Sequence, residues 1–240
     1  MRFNEKRFAN EYEERLKREG YPGIILEAIL EEFDDIKDII DVGAGTGFLA
    51  IPLIEKGYNV TAIEPSNEMI AIMKRKITDR LNNKITIVHN DWDSWEGGNT
   101  ECIIAVHSLY PMKDKNKSIL KMIKYSEKAV IILRSDIGSN NLTDIVRNNL
   151  KTKKESSKST EMIKEFLLSE KINYSEKNIN QSRKNEFNNI EKEAEYFCFH
   201  LGLDNKMIPE IIDILQEVTM FQNNEYSFIS QYNDTMITIT

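Results

Sequence analysis

The chain has 240 residues, with 32 Lys and Arg against 39 Asp and Glu, a formal net charge of -7, and 40% hydrophobic residues. That length buries roughly 70% of its unfolded surface around one core, so no disulfide or metal staple is needed. The acidic balance lowers the prospect of a nucleic-acid partner, and no apolar stretch approaches the ~18 residues of a membrane span.

Residues 1–20 are too highly charged for a signal peptide. Cys102 and Cys198 both sit in apolar surroundings, which points to buried thiols in a reducing compartment; a cytoplasmic, monomeric protein without a metal centre is the expectation. Residues 5–19 carry Phe8, Tyr12 and Leu16 on a helical period, stopped by Gly20 and Pro22, and residues 23–33 form a second helix. Then the period changes. Asp38–Val42 reads as a buried strand, followed by three alternating glycines, Gly43, Gly45 and Gly47, and a helix over 48–56. Strands follow at 58–63, 84–89, 101–107 and 128–134, with helices at 67–82 and 115–125 between them. Apolar strands alternating with helices predict a mostly parallel sheet covered on both faces.

After residue 135 the alternation ends. Helices are predicted at 144–150, 161–169 and 190–201 (capped by Gly202), and from Pro209 to about Met220. The lysine-rich stretch 151–160 reads as a polar hinge, and 172–187 is ambiguous. The last residues alternate as two strands around Asn233–Asp234, predicting a closing hairpin within 223–240.

The chemistry concentrates at strand ends. A glycine-rich loop after a strand lets a ligand approach the backbone. Its G-x-G-x-G order departs from the G-x-G-x-x-G of nicotinamide and flavin sites, and Asp41, two residues before Gly43, would repel a diphosphate while suiting an ammonium group. Glu64, ending the second strand, is placed to accept the hydroxyls of a ribose, or else caps the following helix. Asp91 can accept from an adenine amino group, and Trp92 offers a stacking face; a loop turn and a core tryptophan are the alternatives. After the fourth strand, His107 and Tyr110 are the candidates to face a reacting group. His107 has the reference pKa of a general base, but could instead only tie its loop down. Arg134 either receives an acidic acceptor or is solvated.

Together, Asp41-Val-Gly43-Ala-Gly45-Thr-Gly47, Glu64-Pro65-Ser66 and Asn90-Asp91-Trp92 resemble the successive motifs of the class I S-adenosylmethionine-dependent methyltransferases. The resemblance covers residues 35–134. It implies an α/β, Rossmann-like fold, a seven-stranded, mostly parallel sheet whose C-terminal hairpin is antiparallel. It also implies S-adenosylmethionine as cofactor, with Gly43, Gly45 and Gly47 around its methionine and ribose, Glu64 and Pro65 at the ribose, Met69, Asp91 and Trp92 at the adenine, and Asp41 facing the amino group. The first 34 residues would form a helical lid with Phe8 and Tyr12 as contacts, and 135–222 a helical wall on the substrate side. His107 and Tyr110 would stand near the transferred methyl group. The Asn/Asp-Pro-Pro-aromatic stretch of DNA adenine methyltransferases is replaced here by His107-Ser-Leu-Tyr-Pro111, and a Pro-Cys nucleophile is missing. With the acidic charge, that favours a small-molecule acceptor over RNA or protein. A silent cofactor-binding module is the other alternative.

Overall fold

The computed structural model describes residues 4–152 and 159–240, with the backbone alone for 136–138. The lysine-rich stretch falls mostly on 153–158, outside the described residues.

Parallel strands β1 (Asp38–Val42), β2 (Asn59–Glu64), β3 (Ile85–His89), β4 (Thr100–Val106) and β5 (Ser126–Asn140) form the frame. With β6 (Tyr174–Phe187), β7 (Met220–Gln222) and β8 (Glu225–Ile239), the sheet runs β3-β2-β1-β4-β5-β8-β6, and β7 pairs separately with β8. Seven strands lie on that path, the number expected, although the last two are not where the sequence placed them; β7 is an eighth, three-residue addition.

The side-chain alternation of the parallel strands explains why both faces are covered. Ile39, Val60, Cys102, Ile104, Val130 and Ile132 meet α2 (Ile24–Leu30) and α3 (Ala50–Glu55) on one face. Ile40, Ile63, Ile103, Ala105 and Ile131 meet α5 (Lys115–Tyr125) and α7 (Ser159–Ser169) on the other. Helix α1 (Lys6–Arg18) lies against α4 (Asn67–Lys76), with Phe8 and Ala9 packed on Met69 and Ile72 and Lys76 paired to Glu13 at 2.9 Å. Helices α6 (Leu142–Asn149), α8 (Ile190–Leu201) and α9 (Ile208–Val218) share a further apolar cluster with Phe187. Gly202 ends α8 in the left-handed region (φ 69°), the cap expected from sequence.

The antiparallel part departs from expectation in three places. Residues 172–187, ambiguous in sequence, hold β6, which pairs with β8 from Tyr174↔Ile239 to Phe187↔Tyr226. Strand β5 continues past the predicted end to Asn140, with an irregularity between Ser135 and Asn140. The hairpin turn is at Asn223–Asn224, both at positive φ (53° and 61°) in the manner of a two-residue primed turn, and β8 runs unbroken through Asn233–Asp234. Turn propensity at Asn-Asp yields there to pairing on both sides, because Asp234 finds buried polar partners inside the sheet. Both cysteines are buried and free. No described helix is long and apolar enough to cross a membrane.

Candidate active site

The sheet reverses its order between β1 and β4, and ligands of open α/β sheets bind at such a point beyond the strands' carboxyl ends. A cavity of about 540 Å³ opens there. Of the residues singled out from sequence, Gly43, Gly45, Glu64, Pro65, Met69, Asp91, Trp92, His107 and Tyr110 line it. Asp41 and Gly47 do not.

The glycine loop is pinned by backbone bonds from Gly43 and Ala44 N–H to the Ile63 carbonyl (2.8 and 3.1 Å). A Cβ on Gly45 would meet nothing within 4 Å, and its φ is +57°. The loop therefore presents bare backbone to open space at this position. On Gly47 a Cβ would come within 2.7 Å of Met73 and 3.0 Å of Ile51, so this glycine serves helix-to-sheet packing rather than lining.

Glu64 binds the loop together. Its Oε2 accepts the Gly45 N–H and its Oε1 the Ser66 N–H, each at 2.8 Å. Burial raises its pKa, opposed by these two bonds. Each carboxylate oxygen retains accepting capacity toward the cavity. Asp41 sits behind the loop, 2% exposed, with Oδ2 buried and unpartnered among the described residues. Burial, then the charge of Glu64, pushes its pKa up to about 7. Thr46 Oγ1 and Ser108 Oγ are similarly buried without a partner.

At the β3 end, Asp91 accepts from the Ser94 N–H (2.8 Å) and Ser94 hydroxyl (3.2 Å), and these bonds hold its pKa below the ordinary value. Trp92 is the core tryptophan of the alternative reading, and it lines the cavity as well. It is 3% exposed, stacked on Trp95 with centroids 5.4 Å apart, and donates its indole N–H to the Ser118 carbonyl. Satisfying that N–H draws the ring into the core, where it contributes cavity wall. Met69 is buried at the start of α4, its N–H bound by the Ser66 cap.

His107 lies just past β4 with φ 55°, a left-handed conformation costly for a residue with a Cβ. Its Nε2 is 2.9 Å from Asp234 Oδ1. The loop is thus tied down, but by a carboxylate and not a backbone carbonyl. Burial lowers the His107 pKa, opposed by the Asp234 bond. Tyr110 Oη accepts the Arg134 N–H at 2.6 Å. Arg134 is half-buried over the Tyr232 ring and paired with Asp234 at 2.8 Å, so it is neither free nor fully solvated. Tyr12, from α1, lines the cavity, while Phe8 is spent on the α1–α4 contact. Tyr21, Ser108, Pro111 and Met112 add to this lining, with Ser108 against Gly43. Tyr21 was hidden in the Gly20–Pro22 helix stop, and Asp234 in the supposed turn; neither carried a motif.

A family model described as a methyltransferase domain matches residues 39–126. The chain is 32% identical over 104 residues to an uncharacterized methyltransferase of Bacillus cytotoxicus, covering 42% of this chain and 47% of that one. It is 30% identical over 128 residues to YqeM of Bacillus subtilis, which also carries a methyltransferase name, covering 49% of this chain and 50% of that one. The chain thus spans about half the length of the curated relatives it matches. Among solved structures, YcgJ of Bacillus subtilis superimposes with a TM-score of 0.59 at 13% identity, over 90% of this chain and 97% of that one. A protein of Anabaena variabilis named for methyl transfer in antibiotic biosynthesis does so with a TM-score of 0.61 at 14% identity, over 90% and 96%. These likenesses speak to the fold. Residues 39–126 thus match a methyltransferase domain, on a sheet of the fold that these solved structures share.

Proposed function

We propose that the chain transfers a methyl group from S-adenosylmethionine to a small-molecule acceptor by direct in-line displacement. The observation that carries this is one cavity lined by the glycine loop and Glu64 together with His107 and Tyr110.

The residues present suit the cofactor. Gly45 presents bare backbone to open space, and Glu64 is an anchored carboxylate for ribose hydroxyls. The unpartnered oxygens of Asp41 and Ser108, behind and beside the loop, suit an ammonium group reached directly or through water. Met69 and the Trp92 wall offer apolar surface for adenine, with Asp91 near its amino group. When bound, the cofactor supplies an electrophilic methyl carbon on a sulfonium. The chain's own work is then to hold the acceptor in line, exclude water and receive a proton. Tyr12, Tyr21, Tyr110 and Met112 supply aromatic and polarisable wall that tolerates a passing positive charge. A volume of about 540 Å³ is in the range of small-ligand pockets, and the net charge of -7 disfavours a polyanionic acceptor. The helices α1 and α2 act as the lid, and Tyr12 is its contact.

The test is calorimetric titration with S-adenosylhomocysteine and, separately, NAD, followed by tritium transfer from methyl-labelled S-adenosylmethionine to panels of phenols, amines, carboxylic acids and thiols. Micromolar binding of S-adenosylhomocysteine and labelled small product are expected. Binding of NAD alone, or label entering only RNA or protein, would overturn the reading.

A further inference from the structure

His107 is gripped by a carboxylate that lies 127 residues further along the chain. Asp234 sits within β8, its side chain fully buried. One oxygen faces His107 Nε2 at 2.9 Å and Arg134 Nε at 2.8 Å; the other accepts from Gln181 Nε2–H at 2.9 Å. Groups from the end of β4, from β5 and from β6 therefore converge on one carboxylate. The Arg134 Nε–H does not point along this contact, so it compensates charge without making a directed hydrogen bond. A buried ion pair is a poor device for stability alone, because apolar side chains of similar size do as well.

The left-handed backbone of His107 is the second sign. A non-glycine residue is held there only when its surroundings insist, and such residues gather at functional sites. Here the conformation lets one ring reach Asp234 and also line the cavity. The charged and titratable groups around it are Asp234 on β8, Arg134 on β5, Arg183 on β6, Tyr21 between α1 and α2, and Tyr110 beyond β4. Arg183 lies over the Tyr21 and Tyr232 rings and adds positive potential. The ring is neutral at pH 7, since burial holds its pKa below the ordinary value. Burial alone would raise Asp234, but the His107 hydrogen bond, the Arg134 charge and the Gln181 bond bring its pKa below the ordinary value, so it stays ionised. An ionised carboxylate only accepts hydrogen bonds, so the single imidazole hydrogen must be on Nε2. Nδ1 is left with its lone pair and has no partner among the described residues.

We propose that Asp234 is the positioning residue for His107, fixing the Nε2–H tautomer so that Nδ1 takes the proton from a methyl acceptor bearing an O–H or N–H group. The proposal rests on the cavity being a methyl-transfer site. In the step, the O–H bond of an alcohol or phenol, or one N–H bond of an ammonium group, breaks and its electron pair stays on the heteroatom, which bonds the methyl carbon as the carbon–sulfur bond breaks and S-adenosylhomocysteine leaves. The proton moves to Nδ1, the imidazolium is held by Asp234, and the proton then passes to water. Thioethers, which release no proton, are outside this acceptor class.

The test uses the full chain labelled with 15N-histidine, with His107 assigned among its three histidines. At neutral pH the wild-type spectrum should show Nε2 protonated and Nδ1 bare; a proton on Nδ1 overturns the proposal even if no variant folds. In Asp234→Asn the His107 titration midpoint should fall by about one pH unit, and Asp234→Glu should recover part of it. Turnover is read with tritiated S-adenosylmethionine and the best probe from phenols, catechols and primary amines. Asp234→Asn should lower kcat by about 10- to 100-fold with KM for the cofactor within about twofold, and move the acid limb of the kcat profile down with the midpoint. An unchanged kcat, or an acid limb that ignores the midpoint, overturns the assignment. So does S-adenosylhomocysteine binding with no proton-bearing probe turned over. Failure of the wild type to bind S-adenosylhomocysteine instead refutes the methyltransferase reading, while the tautomer spectrum still stands.

Discussion

Replacing Glu64 by Gln isolates what the carboxylate does, because shape is kept and charge is lost. Glu64 is 6% exposed and accepts two backbone N–H groups at 2.8 Å, one from the glycine loop and one from the start of α4. Hydrogen bonds to a charged group contribute roughly 1.5–3 kcal/mol each, and a buried donor left unpaired costs about 1–3 kcal/mol. The amide turns one terminal oxygen into an NH2 group, so either Gly45 or Ser66 faces a donor and loses its acceptor. Relief of the repulsion with Asp41 returns part of this, and a net loss of about 1–2 kcal/mol in unfolding free energy is expected. Cofactor binding should suffer separately. Losing one charged acceptor at the ribose corresponds to about 10- to 150-fold weaker S-adenosylhomocysteine binding, measured by calorimetry at a temperature where both proteins are folded. A deoxyribose analogue gives the cycle: it should lose affinity against wild type and little against Glu64→Gln. If Glu64→Gln binds S-adenosylhomocysteine within twofold of wild type, the carboxylate serves the loop alone and the ribose assignment is refuted.

Asp41→Asn should stabilise the fold at neutral pH. The folded Asp41 pKa, about 7, exceeds its ordinary 3.8, so the folded state holds a proton that the unfolded state has released. Stability from this group therefore falls as pH rises from about 4 to 7 and is level above; the substitution should remove that slope and gain up to about 4 kcal/mol at pH 8 by urea denaturation. No gain at pH 8 would contradict the buried, unpaired carboxylate. Gly45→Val and Gly47→Ala should separate ligand from packing roles. The first should weaken S-adenosylhomocysteine binding at least tenfold by filling open space at the loop, whereas the second should cost about 1–3 kcal/mol of stability by pressing on Met73 and Ile51. His107→Ala should leave S-adenosylhomocysteine affinity within about threefold and lower single-turnover methyl transfer by about 100-fold or more. Unaltered turnover would make His107 purely structural.

The parallel half of the sheet was legible because its code is hydrophobic. Ile39, Ile40, Ile103, Ile104, Ile131 and Ile132 are buried on alternate faces, and runs of such residues read as strands without further help. Strand β6 was not legible, although its burial alternates just as regularly. Its inward residues are Ile179, Gln181, Arg183, Asn185 and Phe187, three of them polar, with Arg183 bonded to Gln181 and the rest of their partners distant, such as Glu19 and Asp234. The same reason hid half of the candidate site. Glu64 and the glycines hold fixed offsets from a recognisable strand, whereas Tyr21, Asp234 and Arg183 come to His107 through pairings across more than 70 residues. Asn233–Asp234 was misread because a local turn preference is weak against a fully paired strand.

The position of β8 inside the sheet bears on how the protein is made. Strands β5 and β6 leave the ribosome first, and each lacks its neighbour until residues 225–239 follow. For that interval two strand edges stand open, with the buried polar groups Arg183, Gln181 and Asn185 unmatched, a state prone to wrong pairing. The glycine loop and its carboxylate can form earlier, from contacts within residues 38–106. Cofactor affinity and methyl transfer should therefore appear in that order as the chain lengthens: a nascent chain ending before residue 225 is expected to hold S-adenosylhomocysteine loosely and to transfer nothing.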